Sequence, residues 1–145
     1  MAYTPRSRTL AKLVRLRARH EGVLHAAQLR WLDYSTGHRL FHVFRNELGA
    51  EVGYIVWAHF SDESVLRLAR NRQYPVYEYE WIEGITHFIL DVSFQDGRRR
   101  LTRADLDAAF VRDVDKIAYV KRDRLQLLRR VGDRFRRVGV DRFVR

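Results

Sequence analysis

The chain contains no cysteine, which excludes disulfides, thiolate–zinc sites and thiol catalysis at once. No apolar run reaches the ~18 residues that mark a membrane-spanning helix, and the basic N-terminus lacks the apolar core of a signal peptide. These absences make the expected location cytoplasmic. There is no His-Glu-x-x-His pair, so a metal site is not expected, and no Gly-x-Ser-x-Gly elbow, so a serine acyl-enzyme is disfavoured. Negative charge is also scarce. The chain has 28 Lys+Arg against 18 Asp+Glu, a formal net charge of +10, with arginine far outnumbering lysine. Such a field attracts polyanions: nucleic acid, a membrane surface or an acidic protein.

What is present is enough for a core. The chain has 145 residues, 46% of them hydrophobic, which sets it apart from disordered tails and predicts one domain over residues 1–145, with an Arg-rich tail from about residue 132. No internal repeat or linker interrupts it. The stretch 85–97 organises the rest. Phe88, Leu90, Val92 and Phe94 alternate with His87, Ile89, Asp91 and Ser93, the period of a strand with one face on a core. Asp91 sits mid-strand between Leu90 and Val92, where an ionised group is rarely left without a partner. It reads either as an Asp that is paired with an Arg or solvated on a sheet face, or as a positioned catalytic or ligand-orienting carboxylate.

Upstream, residues 6–19 carry Leu10, Leu13 and Val14 at helical spacing with Arg on the remaining positions, an amphipathic helix. His20-Glu21-Gly22 interrupts it, and a second helix is predicted over 23–32. Strands are expected at 39–45 and 52–60, joined by a hairpin loop. Ser61 should cap a helix with Asp62 and Glu63 in its first turn. Residues 76–83 read as a third strand. Thr102 and Asp105 resemble a capping box that opens a further helix to about residue 111. Residues 116–121 and 124–131 read as a closing hairpin, the second arm alternatively helical, and 133–145 show no clear periodicity. The order predicts an α/β (α+β) fold, a mixed, mostly antiparallel sheet flanked by helices. It is compatible with the GNAT (N-acetyltransferase-like) architecture, in which the central strand leads to a phosphate-binding loop. Gln95-Asp96-Gly97-Arg98 stands at that place, without the full glycine-rich nest that cradles a coenzyme A pyrophosphate.

Two motifs carry a family resemblance. Tyr54-Ile-Val-Trp57-Ala58, followed by a polar helix start, and His87-Phe-Ile-Leu-Asp91-Val-Ser-Phe94 about thirty residues on resemble the toxin-activating lysine acyltransferases of RTX hemolysin systems. Residues 114–121 also resemble the family's late strand, and the likeness covers roughly residues 15–130. It implies a GNAT-like fold, a fatty acyl-acyl carrier protein as donor and a protein lysine as acceptor. It further implies a catalytic Asp on the central strand, at Asp91, and a catalytic His upstream, at His20, with His25 as the competitor. Where the family has Ser three residues before its His, this chain has Arg17, and Gln95-Asp96-Gly97 replaces the family's Pro-rich turn.

The chemistry suits a base. A lysine ammonium is neutral in only about one part in 10³ at pH 7, and a positioned His can take its proton. Arg98, Arg99, Arg100 and Arg103 are the candidate dock for the phosphopantetheine phosphate and an acidic carrier protein. No resident cofactor is expected, since acyl-acyl carrier protein is a co-substrate; a homodimer is compatible with the sequence. The alternatives are a GNAT-type transferase using acyl-coenzyme A on a small amine or peptide, and a non-enzymatic nucleic-acid-binding module with Phe41, Tyr54, Trp57, Tyr77 and Tyr79 as a stacking platform.

Overall fold

The computed structural model describes residues 4–20, 22–95, 101–110 and 114–145. They form helices α1 (Pro5–His20) and α2 (Ala26–Gly37), strands β1 (Phe41–Arg45) and β2 (Glu51–Phe60), and helix α3 (Asp62–Asn71). A 3-10 turn (Glu78–Trp81), strand β3 (Thr86–Phe94) and helix α4 (Arg103–Ala109) follow. Strands β4 (Lys116–Lys121), β5 (Arg124–Val131) and β6 (Arg134–Arg137) and helix α5 (Val140–Val144) end the chain. The sheet order is β1-β2-β3-β4-β5-β6. Its β1/β2, β4/β5 and β5/β6 pairs are antiparallel, and β3/β4 is parallel. A parallel step needs a crossover rather than a hairpin, and the segment containing α4 supplies it. This is the mixed, mostly antiparallel α+β arrangement expected from the sequence and is consistent with a GNAT-like fold. Two compact units are distinguished: Met1–Trp57 with Leu90–Val111, and Ala58–Ile89 with Arg112–Arg145.

In the first unit the core joins α1, α2 and β2. Leu13 and Leu16 of α1, Leu32 of α2, and Tyr54 and Val56 of β2 are buried together, with Leu10, Val14, Leu24, Phe41, Val43 and Leu90 packed around them. Each aliphatic side chain so buried stabilises the fold by about 1.5–3 kcal/mol. Leu13, Leu16, Arg17 and His20 recur at i, i+3, i+4 and i+7, so they share one face of the helix. Arg17 is therefore buried, although its residue type suggested the solvated side. Helix α2 starts at Ala26 rather than residue 23, because the His25 backbone N–H donates to Gln28 Oε1 at 2.9 Å and fixes the entry there. It continues to Gly37, where buried Ser35 donates to the Trp57 carbonyl at 3.0 Å. Gly53 lets β2 approach β3: a Cβ there would lie 2.4 Å from the Ser93 carbonyl oxygen.

In the second unit Ser61 caps α3, accepting from the Ser64 N–H at 3.2 Å, as expected. Residues 76–83 are not a strand. The Glu80 carboxylate accepts the backbone N–H groups of Val76 and Tyr77, each at 3.1 Å, and pairs with Arg67 at 3.2 Å. Those local bonds compete with a sheet ladder and curl the segment into a 3-10 turn. The Tyr77 N–H, outweighing burial together with Arg67 and the Val76 N–H, holds the Glu80 carboxyl below its usual range. Gly84 lies against Phe60, where a Cβ would come within 1.9 Å of the carbonyl group. The β4–β5 turn places Arg122 and Asp123 at φ 51° and 61°, the left-handed pair of a hairpin. The Arg-rich end is also ordered. Strand β6 pairs with β5, and α5 buries Phe143, over whose ring the Lys116 ammonium sits at 5.2 Å.

His59 of β2 and His87 of β3 face each other in this unit with ring centroids 4.5 Å apart. Burial lowers both pKa values, and burial with the neighbouring His59 takes His87 down to about 4. Below pH ~6.5 the unfolded imidazole takes up a proton that the folded one refuses, so stability falls as pH drops from ~6.5 towards 4. The His87 contribution is at most about 3 kcal/mol. Urea titrations from pH 7.5 to 4 should show that His87→Phe has the shallower loss of stability; parallel curves would remove His87 as the cause.

Candidate active site

Helix α1 and strand β3 bring two pairs of side chains together within the first unit. Arg17 and His20 are one turn apart on α1; Asp91 and Ser93 are two residues apart on β3. Arg17 Nη1 donates to Asp91 Oδ2 at 2.6 Å, and His20 Nδ1 lies 3.2 Å from Ser93 Oγ. From β2, the Tyr54 hydroxyl donates to the same Asp91 oxygen at 2.5 Å and accepts from Arg17 Nη1 at 3.3 Å. Arg17 Nε also donates to the Val23 carbonyl at 3.3 Å, tying down the chain after the helix.

This is a buried ion pair. The side chains of Arg17 and Asp91 are only 6% and 10% exposed, and Tyr54 is fully buried. Burial alone would ease the proton off Arg17, but Tyr54 and the Asp91 charge outweigh it and its pKa is raised. Burial, reinforced by Asp91, pushes the Tyr54 phenol far above its ordinary value. Arg17 is thus a guanidinium and Tyr54 a neutral donor at any physiological pH. The bonds are charge-assisted, the stronger kind.

The strand alternation is not strict here. Leu90 borders the α1–α2 core while its neighbour Asp91 also meets Arg17 and Tyr54. The ion-pair reading and the site reading of Asp91, which the sequence left open, therefore meet in one place. Asp91 is paired with an arginine, and that arginine lies one helical turn before His20.

Ser93 is 1% exposed, so it is an orienting partner rather than a nucleophile open to substrate. With Nδ1 protonated and donating to Ser93 Oγ, the basic lone pair of His20 sits on Nε2. Burial also separates the other histidines by role. His25 is exposed at the start of α2; His38 ends that helix; His42 of β1 packs edge-on to Phe44 and is lowered in pKa by burial. Among the described residues no group of three or more His, Cys, Asp or Glu could hold a metal.

Of the arginine cluster, Arg98, Arg99 and Arg100 lie outside the described residues. Arg103 is exposed in the first turn of α4, 3.8 Å from Asp107. Thr102 caps that helix, reciprocated by Asp105, as the sequence predicts. The aromatic platform does not form as read. Tyr54 and Trp57 are core residues, Trp57 packing edge-on to Phe110 at 4.8 Å, and Tyr77 and Tyr79 are exposed outside any strand. Sequence reasoning missed three site residues: Arg17, Tyr54 and Ser93. The i, i+3, i+4, i+7 stripe of α1 is a signal for Arg17, and the i+2 spacing from Asp91 is one for Ser93. Among the described residues no helix is long and apolar enough to cross a membrane. No protein-family profile, curated protein or solved structure matches the chain.

Proposed function

We propose that this chain is a cytoplasmic lysine N-acyltransferase that moves a fatty acyl group from acyl-acyl carrier protein to a lysine ε-amine of a protein or peptide. The observation that carries the reading is the seating of Arg17 and His20 of α1 on Asp91 and Ser93 of β3. It gives a half-buried histidine with a fixed ring, next to a carboxylate that anchors its helix. His20 Nε2 takes a proton from the lysine ammonium, and the neutral amine attacks the thioester carbonyl carbon. As the C–S bond of the tetrahedral adduct breaks, the imidazolium gives its proton to the departing phosphopantetheine sulfur and the adduct's ammonium nitrogen loses one proton to solvent, leaving an amide and a free thiol. Ser93 is a positioning residue that holds the His20 tautomer, and Asp91 positions α1 through Arg17 and Tyr54. The resemblance of Tyr54-Ile-Val-Trp57-Ala58 and residues 87–94 to the toxin-activating acyltransferases supports this reading, since Tyr54 and Asp91 of the two motifs are hydrogen-bonded to each other.

The direct test is to incubate the pure protein with acyl-acyl carrier protein and lysine-bearing polypeptides, following thiol release and the mass of acylated lysine. Donor choice is a second prediction. Replacing Arg98, Arg99 and Arg100 by Ala should raise the donor KM with little change in kcat, and wild-type turnover should fall with salt. Equal or better turnover with acyl-coenzyme A would move the reading to a GNAT-type transferase. The +10 net charge favours one other class, a nucleic-acid-binding module. Salt-steep binding of random RNA or DNA that survives Asp91→Asn, with no acyl transfer, would replace the enzyme reading.

A further inference from the structure

The positive charge of this chain is concentrated. Residues 116–145 hold eleven Lys and Arg against three Asp, a net +8 of the chain's +10. Helix α1 is also basic, with six Lys and Arg and no acid, but its Arg6, Lys12 and Arg17 are paired with Asp33, Glu51 and Asp91. Strands β4, β5 and β6 together carry eight cations, six of them arginine, and no carboxylate. The three Asp fall at the two turns and in α5.

The strand register sorts these cations onto two faces, because residues paired across antiparallel strands point to one side and neighbours along a strand alternate. Lys116, opposite Arg129, marks the covered face. Lys116 sits over Phe143 of α5 and pairs with Asp62 at 3.0 Å, and Arg129 donates to the carbonyls of Arg142 and Arg145. The other face carries Tyr119, Lys121, Arg124, Arg130, Phe135 and Arg137. Lys121, Arg124 and Arg137 are exposed and pair with no carboxylate among the described residues, while Tyr119 and Phe135 are half-buried. Arg130 lies over the Phe135 ring at 4.7 Å. Arg124 and Arg130 stand roughly 20 Å apart along β5, so the cations bracket the face rather than crowd one spot. Cations on an edge strand also guard it against pairing with another sheet, but that role calls for neither cations at the β4–β5 turn nor rings beside them.

We propose that this face of β4, β5 and β6 binds single-stranded nucleic acid, with phosphates on Lys121, Arg124 and Arg137 and bases against Tyr119 and the Arg130–Phe135 pair. The guanidinium fork matches phosphate geometry, and its plane stacks on flat rings. An acidic polypeptide would satisfy the charge but bring no flat rings to Tyr119 and Phe135. A duplex keeps its bases stacked inside, so a single strand is the polyanion that uses both features of the face. These strands belong to the second unit and the candidate active site to the first. The proposal stands without the acyl-transfer reading.

The test uses the full chain and a fluorescein-labelled oligouridylate of about 20 nucleotides, read by anisotropy with no acyl donor present. Saturable binding is expected, with log Kd rising linearly in log salt. Lys121→Gln/Arg124→Gln/Arg137→Gln should weaken it about tenfold or more and lower the salt slope by roughly two, the share of three phosphate contacts. Tyr119→Ala should weaken it about fivefold or more, whereas Tyr119→Phe keeps the ring and should bind like wild type. Arg8→Gln/Arg15→Gln/Arg19→Gln removes the same charge from exposed positions of α1 and should stay within about threefold of wild type. Melting curves show that each variant keeps its fold. The proposal is overturned if the single strand does not bind saturably, or if the α1 variant loses as much affinity as the strand variant. A folded Tyr119→Ala that binds like wild type would overturn it as well. Equal or tighter binding of a duplex of the same length, of polyglutamate or of phosphatidylserine vesicles would show that charge alone acts there, and would also refute it.

Discussion

Replacing His20 by Ala is expected to lower kcat for acyl transfer by about 10²–10⁴-fold, the usual worth of a positioned general base. The donor KM should stay near wild type, because the proton is taken only as the transition state forms. Stability should fall by about 1–3 kcal/mol, because the buried Ser93 hydroxyl loses its imidazole partner. His25→Ala is the matched control: His25 is exposed, and its backbone rather than its ring engages Gln28. Single-turnover thiol release separates chemistry from donor binding. A fully active His20→Ala, or a dead His25→Ala, would remove His20 from the mechanism.

Asp91→Asn should act through the fold first. It keeps the shape but leaves the Arg17 charge buried without its counter-ion, and breaking one side of such a pair costs about 3–5 kcal/mol. For a chain of this size that is a fall in Tm of about 10 °C or more. Replacing both partners together, as Arg17→Met/Asp91→Leu, removes both charges and should recover most of the lost stability. Activity then decides the role of the carboxylate. If Asp91 serves only to seat α1, kcat returns along with Tm. A recovered Tm with kcat still abolished would mean that Asp91 acts on the reacting groups themselves.

Much of this site could be read from spacing, and the rest depended on partners far away in sequence. The period of two over 86–94 located β3, and the family resemblance pointed to Asp91 and His20. What bound Asp91 was hidden because Arg17 is 74 residues away and belongs to a residue type abundant in this chain. In α1 the face was legible from Leu13 and Leu16, but the arginines looked alike. Only the continuation of the stripe through positions 17 and 20 singles out one of them. Residues 76–83 misread as a strand because their aromatic and branched side chains match strand composition. The deciding group was Glu80, whose two backbone acceptor bonds cannot be seen in a propensity. The end of the chain misled in the opposite way. Its arginines obscured Phe143, whose burial against Lys116 anchors a short helix.

The two glycines pressed against neighbouring backbone bear on how kinship with this chain could be recognised. At Gly53 and Gly84 a methyl group would come within 2.4 Å and 1.9 Å of main-chain atoms that are themselves part of the sheet region. No change of side chain elsewhere relieves a clash with backbone, so descent can vary the charges and the aromatics more freely than these two positions. Their separation of 31 residues can change only by insertions or deletions in the intervening turns. A distant homologue would therefore be better identified by this pair of missing side chains, one on each side of α3, than by the side chains of the candidate site.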